Sequence, residues 1–233
     1  GHEDAVREIF RVREHSCGFG NYHIGNSILW ALERLAWIEG YVPRISNILL
    51  SLHLAAGPID SRVGNQPLSS LRRILSLYIP QSNASPETRL KTFRALSTRH
   101  GTKALDLFEK LLDSRGGGSV MSTSKPIFTW VEQSDRIWAD IYDERDALME
   151  ISINLAKGSP PDLARLVDTV PLMEPRLFSK FIDQVNSTNA SSEGAKELLD
   201  ELREFTTRHA EFPDAEWSVS ADRVDRLKTS MQI

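Results

Sequence analysis

NQPLSSLRRILSLYIPQSNASPE, residues 65–87, is the stretch on which the fold turns. Pro67 suits the first turn of a helix, where its missing N–H has no partner to lose. Leu68, Leu71, Ile74, Leu75 and Tyr78 follow at three- and four-residue spacing, which gathers side chains on one face of a helix. Pro80 stops that helix. Ser85-Pro86, an N-cap hydroxyl followed by a first-turn ring, starts the next. The spacing predicts short helices, cut by proline, that turn back on one another.

The same punctuation extends in both directions. Upstream, Ile28, Leu32, Leu35 and Ala36 form a stripe closed near Gly40, and Ile45, Ile48, Leu49, Leu52 and Ala56 form another closed by Gly57-Pro58. Downstream, Leu90, Phe93 and Leu96 lead to Gly101, and Ala104, Leu105, Phe108, Leu111 and Leu112 follow. Beyond a glycine- and serine-rich stretch come Trp138, Ile141, Leu148, Ile151 and Leu155. Gly158-Ser159-Pro160 then resets the chain into Leu163, Leu166 and Val167. Further stripes are Leu177, Phe178, Phe181, Ile182 and Val185, then Leu198, Leu199, Leu202 and Phe205, with a weaker one at Val224 and Leu227. Period-two alternation of β-branched residues is missing. The fold expected is all-α, built of stacked antiparallel helical hairpins in an α-solenoid of the HEAT or TPR kind with irregular repeats.

Residues 1–2 read as a tag remnant ahead of a fragment of a longer protein, 3–115 as an N-terminal helical block, 116–126 as a flexible connector and 127–233 as a C-terminal helical block. At 233 residues the chain can bury a sizeable core without a metal or disulfide staple. One cysteine, no signal-like start and no long apolar run predict a reduced, cytoplasmic protein. The net charge of −4 divides unevenly: 15 Lys+Arg against 11 Asp+Glu in residues 1–116, and 13 against 21 in 117–233. Neither half has the strongly basic balance of a nucleic-acid binder.

No stretch assembles catalytic or cofactor chemistry. His15, Cys17 and His23 in HSCGFGNYH, residues 15–23, offer zinc-type ligands without a fourth at a known spacing, and no residue orients a Cys17–His23 nucleophile pair. Gly116-Gly117-Gly118 lacks the Gly-Lys-Ser/Thr that would cradle phosphates. Asp140, Asp143, Glu144 and Asp146 read as a solvated helix face. The expectation is no enzyme, no metal and no cofactor. Arg72, Arg73, Arg89, Lys91, Arg94 and Arg99 are the densest basic set and read as outward-facing, with Arg72, Arg73, Arg94 and Arg99 as candidate partner-binding residues. Of Trp30, Trp37, Trp130, Trp138 and Trp217, most are expected in the core by their helical spacing.

WALERLAWIEGYVPRISNILLSLHLAAG, the NQPLSS and PQSNAS turns that follow it, and HAEFPDAEWSVSADRVDRL at 209–227 resemble a region of large bacterial STAND-type proteins, signal-transduction NTPases of which many act in antiviral defence. The resemblance covers residues 24–112 and 209–227. The segment from Gly57 to Gly64 departs from it. The likeness implies a parent with an N-terminal effector, a central P-loop NTPase and a C-terminal helical sensor, with this chain in the sensor. It implies a non-enzymatic recognition module that binds a protein ligand, such as a phage protein, and so triggers the parent. The alternative is an intramolecular scaffold or oligomerisation region with no foreign ligand. Neither nucleic acid nor membrane is an expected partner, and oligomers would form through the parent.

Overall fold

The structure, a computed structural model, describes residues 20–56, 66–113, 137–189 and 192–230. Among these residues there is helix and turn but no strand, and no helix is long and apolar enough to cross a membrane. Ten α-helices are present among them: α1 (Gly20–Leu35), α2 (Val42–Ala56), α3 (Pro67–Ile74), α4 (Pro86–His100), α5 (Leu105–Leu112), α6 (Trp138–Leu155), α7 (Pro160–Ala164), α8 (Pro175–Asn186), α9 (Ala195–Glu211) and α10 (Ala221–Ser230). Single 3-10 turns occupy Glu39–Tyr41, Gly101–Ala104 and Val167–Leu172. The chain divides into two compact units, residues 1–144 and 145–233, with the division inside α6. The connector expected at 116–126 and the His15/Cys17 motif lie outside the described residues, as does the side chain of His23.

The helix starts follow their sequence signals. Pro67, Pro86, Pro160 and Pro175 each open a helix in the first turn. The Ser85 hydroxyl accepts the Thr88 N–H at 3.3 Å, the N-cap bond expected of that position. Gly101 and Gly158, with φ of 58° and 76°, stand where α4 and α6 give out, in backbone that side-chain-bearing residues avoid. Gly194 precedes α9 with φ 78°, and a Cβ there would lie 2.3 Å from Cγ of Pro161 on α7.

In the first unit α2 packs on α3 and α4, α3 on α5, and α1 on α2 and α3. Phe93 of α4 and Phe108 of α5 meet edge-to-face at 6.1 Å in the core. The stripes through Leu68, Leu71, Ile74 and Leu75, and through Ala104, Leu105, Phe108, Leu111 and Leu112, are buried as expected. Tyr78 is exposed instead, because α3 ends at Ile74 and the helical phase does not reach it. In α1 the core positions are Leu29 and Glu33, continued by Ala36 just past its end, while Leu35 is exposed and Ile28 and Leu32 are half-buried. The expected stripe was therefore rotated by one residue. Its true centre is a carboxylate, which Arg73 of α3 neutralises at 2.5 Å.

The connector from Leu75 to Ser85 is held by polar groups from both sides. Gln81 N–H donates to the Arg73 carbonyl (2.9 Å) and the Ser82 hydroxyl to the Ile74 carbonyl (2.8 Å). Arg89 of α4, fully buried, donates from Nη2 to the carbonyls of Leu75 and Ser76, both at 2.9 Å, and from Nε to Glu144 at 2.6 Å. A guanidinium thus satisfies carbonyls just past the end of α3, where the helix dipole favours a cation. Two expectations fall with this observation. Arg89 does not face outward, and Glu144, also fully buried, is not on a solvated face, although Asp143 beside it is.

In the second unit α9 packs on α7 and α10, α10 on α8, and α7 on α8. Leu177, Phe178, Phe181, Ile182 and Val185 of α8 are buried in the register their spacing predicts, as are Leu198, Leu202 and Phe205 of α9. Arg223 of α10 donates to the carbonyls of Val170 (3.1 Å) and Met173 (2.7 Å), closing the end of the 3-10 turn. Arg223 and Arg226 both lie over the Phe178 ring, at 5.0 and 4.8 Å.

Candidate interaction surface

The four candidate arginines do not share one face. Arg73 is turned to Glu33 and also lies 3.4 Å from the Ser70 hydroxyl. Arg72 is half-buried. Arg94 and Arg99 are exposed on α4, but five helical residues separate their directions by about 140°. They sit at opposite margins of the exposed arc that Lys91 and Thr98 occupy between them.

The tryptophans correct the sequence expectation more sharply. Trp30, Trp138 and Trp217 are each exposed by half or more, Trp37 is half-buried, and Trp130 lies outside the described residues. The reasons are local. Trp30 stands one position past the core residue Leu29. Trp138 is the first residue of α6, where its ring stacks on Tyr142 at 6.2 Å beside exposed Ile137, and Trp217 lies in a non-helical turn.

That turn, residues 212–220 between α9 and α10, is ordered by a histidine. His209, in the last turn of α9, is buried against Phe205, with ring centroids 4.0 Å apart. Its Nδ1 accepts the Val219 N–H at 3.0 Å, which requires that nitrogen to be unprotonated. The Ser218 hydroxyl donates to the His209 carbonyl at 3.1 Å. Burial, and then the charge of Arg208, hold the His209 pKa below its ordinary value, against the opposing charge of Asp168. The Trp217 indole meets the imidazole edge-on at 5.0 Å and tilts toward Phe212 at 6.1 Å. Phe212 and Trp217 are 55% and 50% exposed, so a buried hinge presents two outward aromatic rings.

Other ionisable groups settle structural contacts. The His53 Nε2 contact at 3.2 Å, and then the bond from Lys110 (2.5 Å), hold the Asp106 carboxyl far below the usual range against the opposing effect of burial. Glu150 is lowered to about 2 by bonds from Arg176 and Lys180. Among the described residues, no three His, Cys, Asp or Glu side chains converge to hold a metal. Comparison of the chain with known protein families, with curated proteins and with solved structures finds no match.

Sequence reasoning missed the 212–217 turn as a surface although its signal was present. Pro213 between two aromatics breaks the helical period, so Phe212 and Trp217 had no claim to a helix's inner face.

Proposed function

We propose that the chain is a non-enzymatic recognition module, a cytoplasmic helical sensor that binds a protein ligand and passes that event to a larger STAND-type parent. The observation that carries this reading is the exposure of Trp30, Trp138 and Trp217, large rings of the kind that anchor protein interfaces. The resemblance to STAND-type sensor regions supplies the biological setting, antiviral defence in bacteria. We further propose that the helices stack as irregular hairpins in a solenoid. In support, the principal helix contacts within each unit run to neighbours one or two steps along the chain, the pattern a stacked array requires.

Immobilised chain exposed to extract from phage-infected bacteria is expected to retain a protein that uninfected extract does not supply. A variant carrying Trp30→Ser, Trp138→Ser and Trp217→Ser should lose it while keeping its helical circular dichroism. Equal recovery by both, or none by either, overturns the reading.

A further inference from the structure

We propose that the turn from Glu211 to Trp217 is a docking surface for a cationic, arginine- or lysine-rich protein segment. The inference deepens the recognition reading and rests on it for its biological context. Three observations carry it. The first is the pair of exposed rings, Phe212 and Trp217, whose faces attract a guanidinium or ammonium through the ring quadrupole.

The second is charge. Glu211, Asp214 and Glu216, all exposed, flank those two ring residues in sequence, and no Lys or Arg occurs from 209 to 222. The nearest cation in sequence, Arg208, is held by Asp168 at 2.9 Å. An incoming cation therefore meets two rings in a stretch that carries three exposed carboxylates and no Lys or Arg of its own, which favours a basic partner and disfavours nucleic acid.

The third is preorganisation. Pro213 fixes one backbone torsion, Ala215 N–H donates to the Phe212 carbonyl (3.2 Å), and Ser218 N–H donates to the Ala215 carbonyl (2.8 Å). Val219 is pinned to His209 from beneath. Little conformational freedom is left to lose on binding, and this favours affinity. The partner segment would lay a guanidinium against Trp217 and Phe212 and pair further cations with the carboxylates in bidentate bonds.

The test uses the full chain and a fluorescein-labelled peptide of alternating arginine and glycine, read by anisotropy at an ionic strength of about 0.15 M. A glutamate–glycine peptide serves as the opposite-charge control. Saturable binding of the arginine peptide alone is expected, weakened at least about tenfold by Trp217→Ala and by Phe212→Ala. Because Trp217 also packs on His209, a second variant, Glu211→Gln/Asp214→Asn/Glu216→Gln, leaves the rings in place and should weaken binding as strongly.

The control triple Glu197→Gln/Glu201→Gln/Glu204→Gln, on the exposed side of α9, should not. Absent binding, or equal losses from the two triples, would overturn the proposal. A phage-derived ligand that binds the Trp217→Ala chain undiminished would sink this surface and leave recognition standing. Peptide binding with no ligand recovered from infected extract would do the reverse.

Discussion

The connector at 75–85 and the turn at 212–220 both link helices, both contain proline, and they are built in opposite ways. In the first, Gln81, Ser82 and Ala84 are buried and a guanidinium from α4 reaches in to satisfy the carbonyls of Leu75 and Ser76. In the second, most residues face outward, and one backbone N–H, that of Val219, reaches inward to a neutral imidazole. The difference is between a lock made with a permanent charge and a lock made with a titratable group. Arg89 stays charged at any pH the protein meets, so only mutation opens the first lock. His209 must stay unprotonated, so acid works against the second.

Deleting the charge tests this contrast at its strongest point. Arg89→Leu takes the guanidinium away from buried Glu144 and from two carbonyls, and unfolding by urea should show a loss of about 3–5 kcal/mol. The double variant Arg89→Leu/Glu144→Leu should recover part of that loss, because no uncompensated charge remains. A double variant as unstable as the single would mean that the carbonyl bonds, not the ion pair, dominate. The next effect belongs to the second unit. Gly194→Ala places a methyl against Pro161 in backbone that disfavours side chains, and thermal unfolding should report a loss of about 2–4 kcal/mol.

The titratable lock comes third. The folded-state pKa of His209 lies below the unfolded value of 6.5, so below about that pH the unfolded chain takes up a proton that the folded chain refuses. This contribution to stability is complete above 6.5 and declines as pH falls through it toward the lower folded value. The urea midpoint should therefore drop between neutral and mildly acid buffer. His209→Phe should cost about 1–3 kcal/mol at neutral pH by leaving the Val219 N–H unsatisfied, and should flatten the pH slope. A slope unchanged in His209→Phe would assign the titration elsewhere.

These outcomes follow from features that were unevenly legible in the sequence. Helix starts were readable because Pro67, Ser85-Pro86 and Pro160 act through their own backbone within one turn. The cores of α5 and α8 were readable because every inward residue is apolar. The failures at α1 and α6 share one cause. Glu33 and Glu144 occupy inward positions, and an arginine, 40 or 55 residues away, meets each of them there. Periodicity assigns a carboxylate to solvent, since the partner that reverses the assignment is not local. The same blindness put Arg73 and Arg89 on an outer face. The aromatic turn was missed for a different reason, an expectation that tryptophan packs inward wherever helices surround it.

The smallest effect tests whether the first connector is locked at its far end as well. Ser85 caps α4, and its N–H (3.0 Å) and hydroxyl both donate to Glu39, which also takes the Thr88 hydroxyl at 2.7 Å. The Ser85 hydroxyl is the leading reason that the Glu39 carboxyl titrates below its ordinary value, with Thr88 next. A lowered carboxylate contributes stability that is present above the unfolded value of 4.5 and lost as pH falls through the folded one. Ser85→Ala removes the cap and one of three donors, so it should cost about 1 kcal/mol near neutral pH. It should also move the acid loss to higher pH, because Glu39 then protonates more readily. Ser85→Gly, which keeps most of a cap's backbone freedom but not the hydroxyl, separates the two roles. If the acid midpoint shifts equally in both variants while only alanine lowers neutral stability, the hydroxyl acts on the carboxylate and the cap on the helix. If neither variant moves the acid midpoint, Glu39 is held by Thr88 and the Ser85 N–H alone, and this end of the connector is an ordinary helix cap.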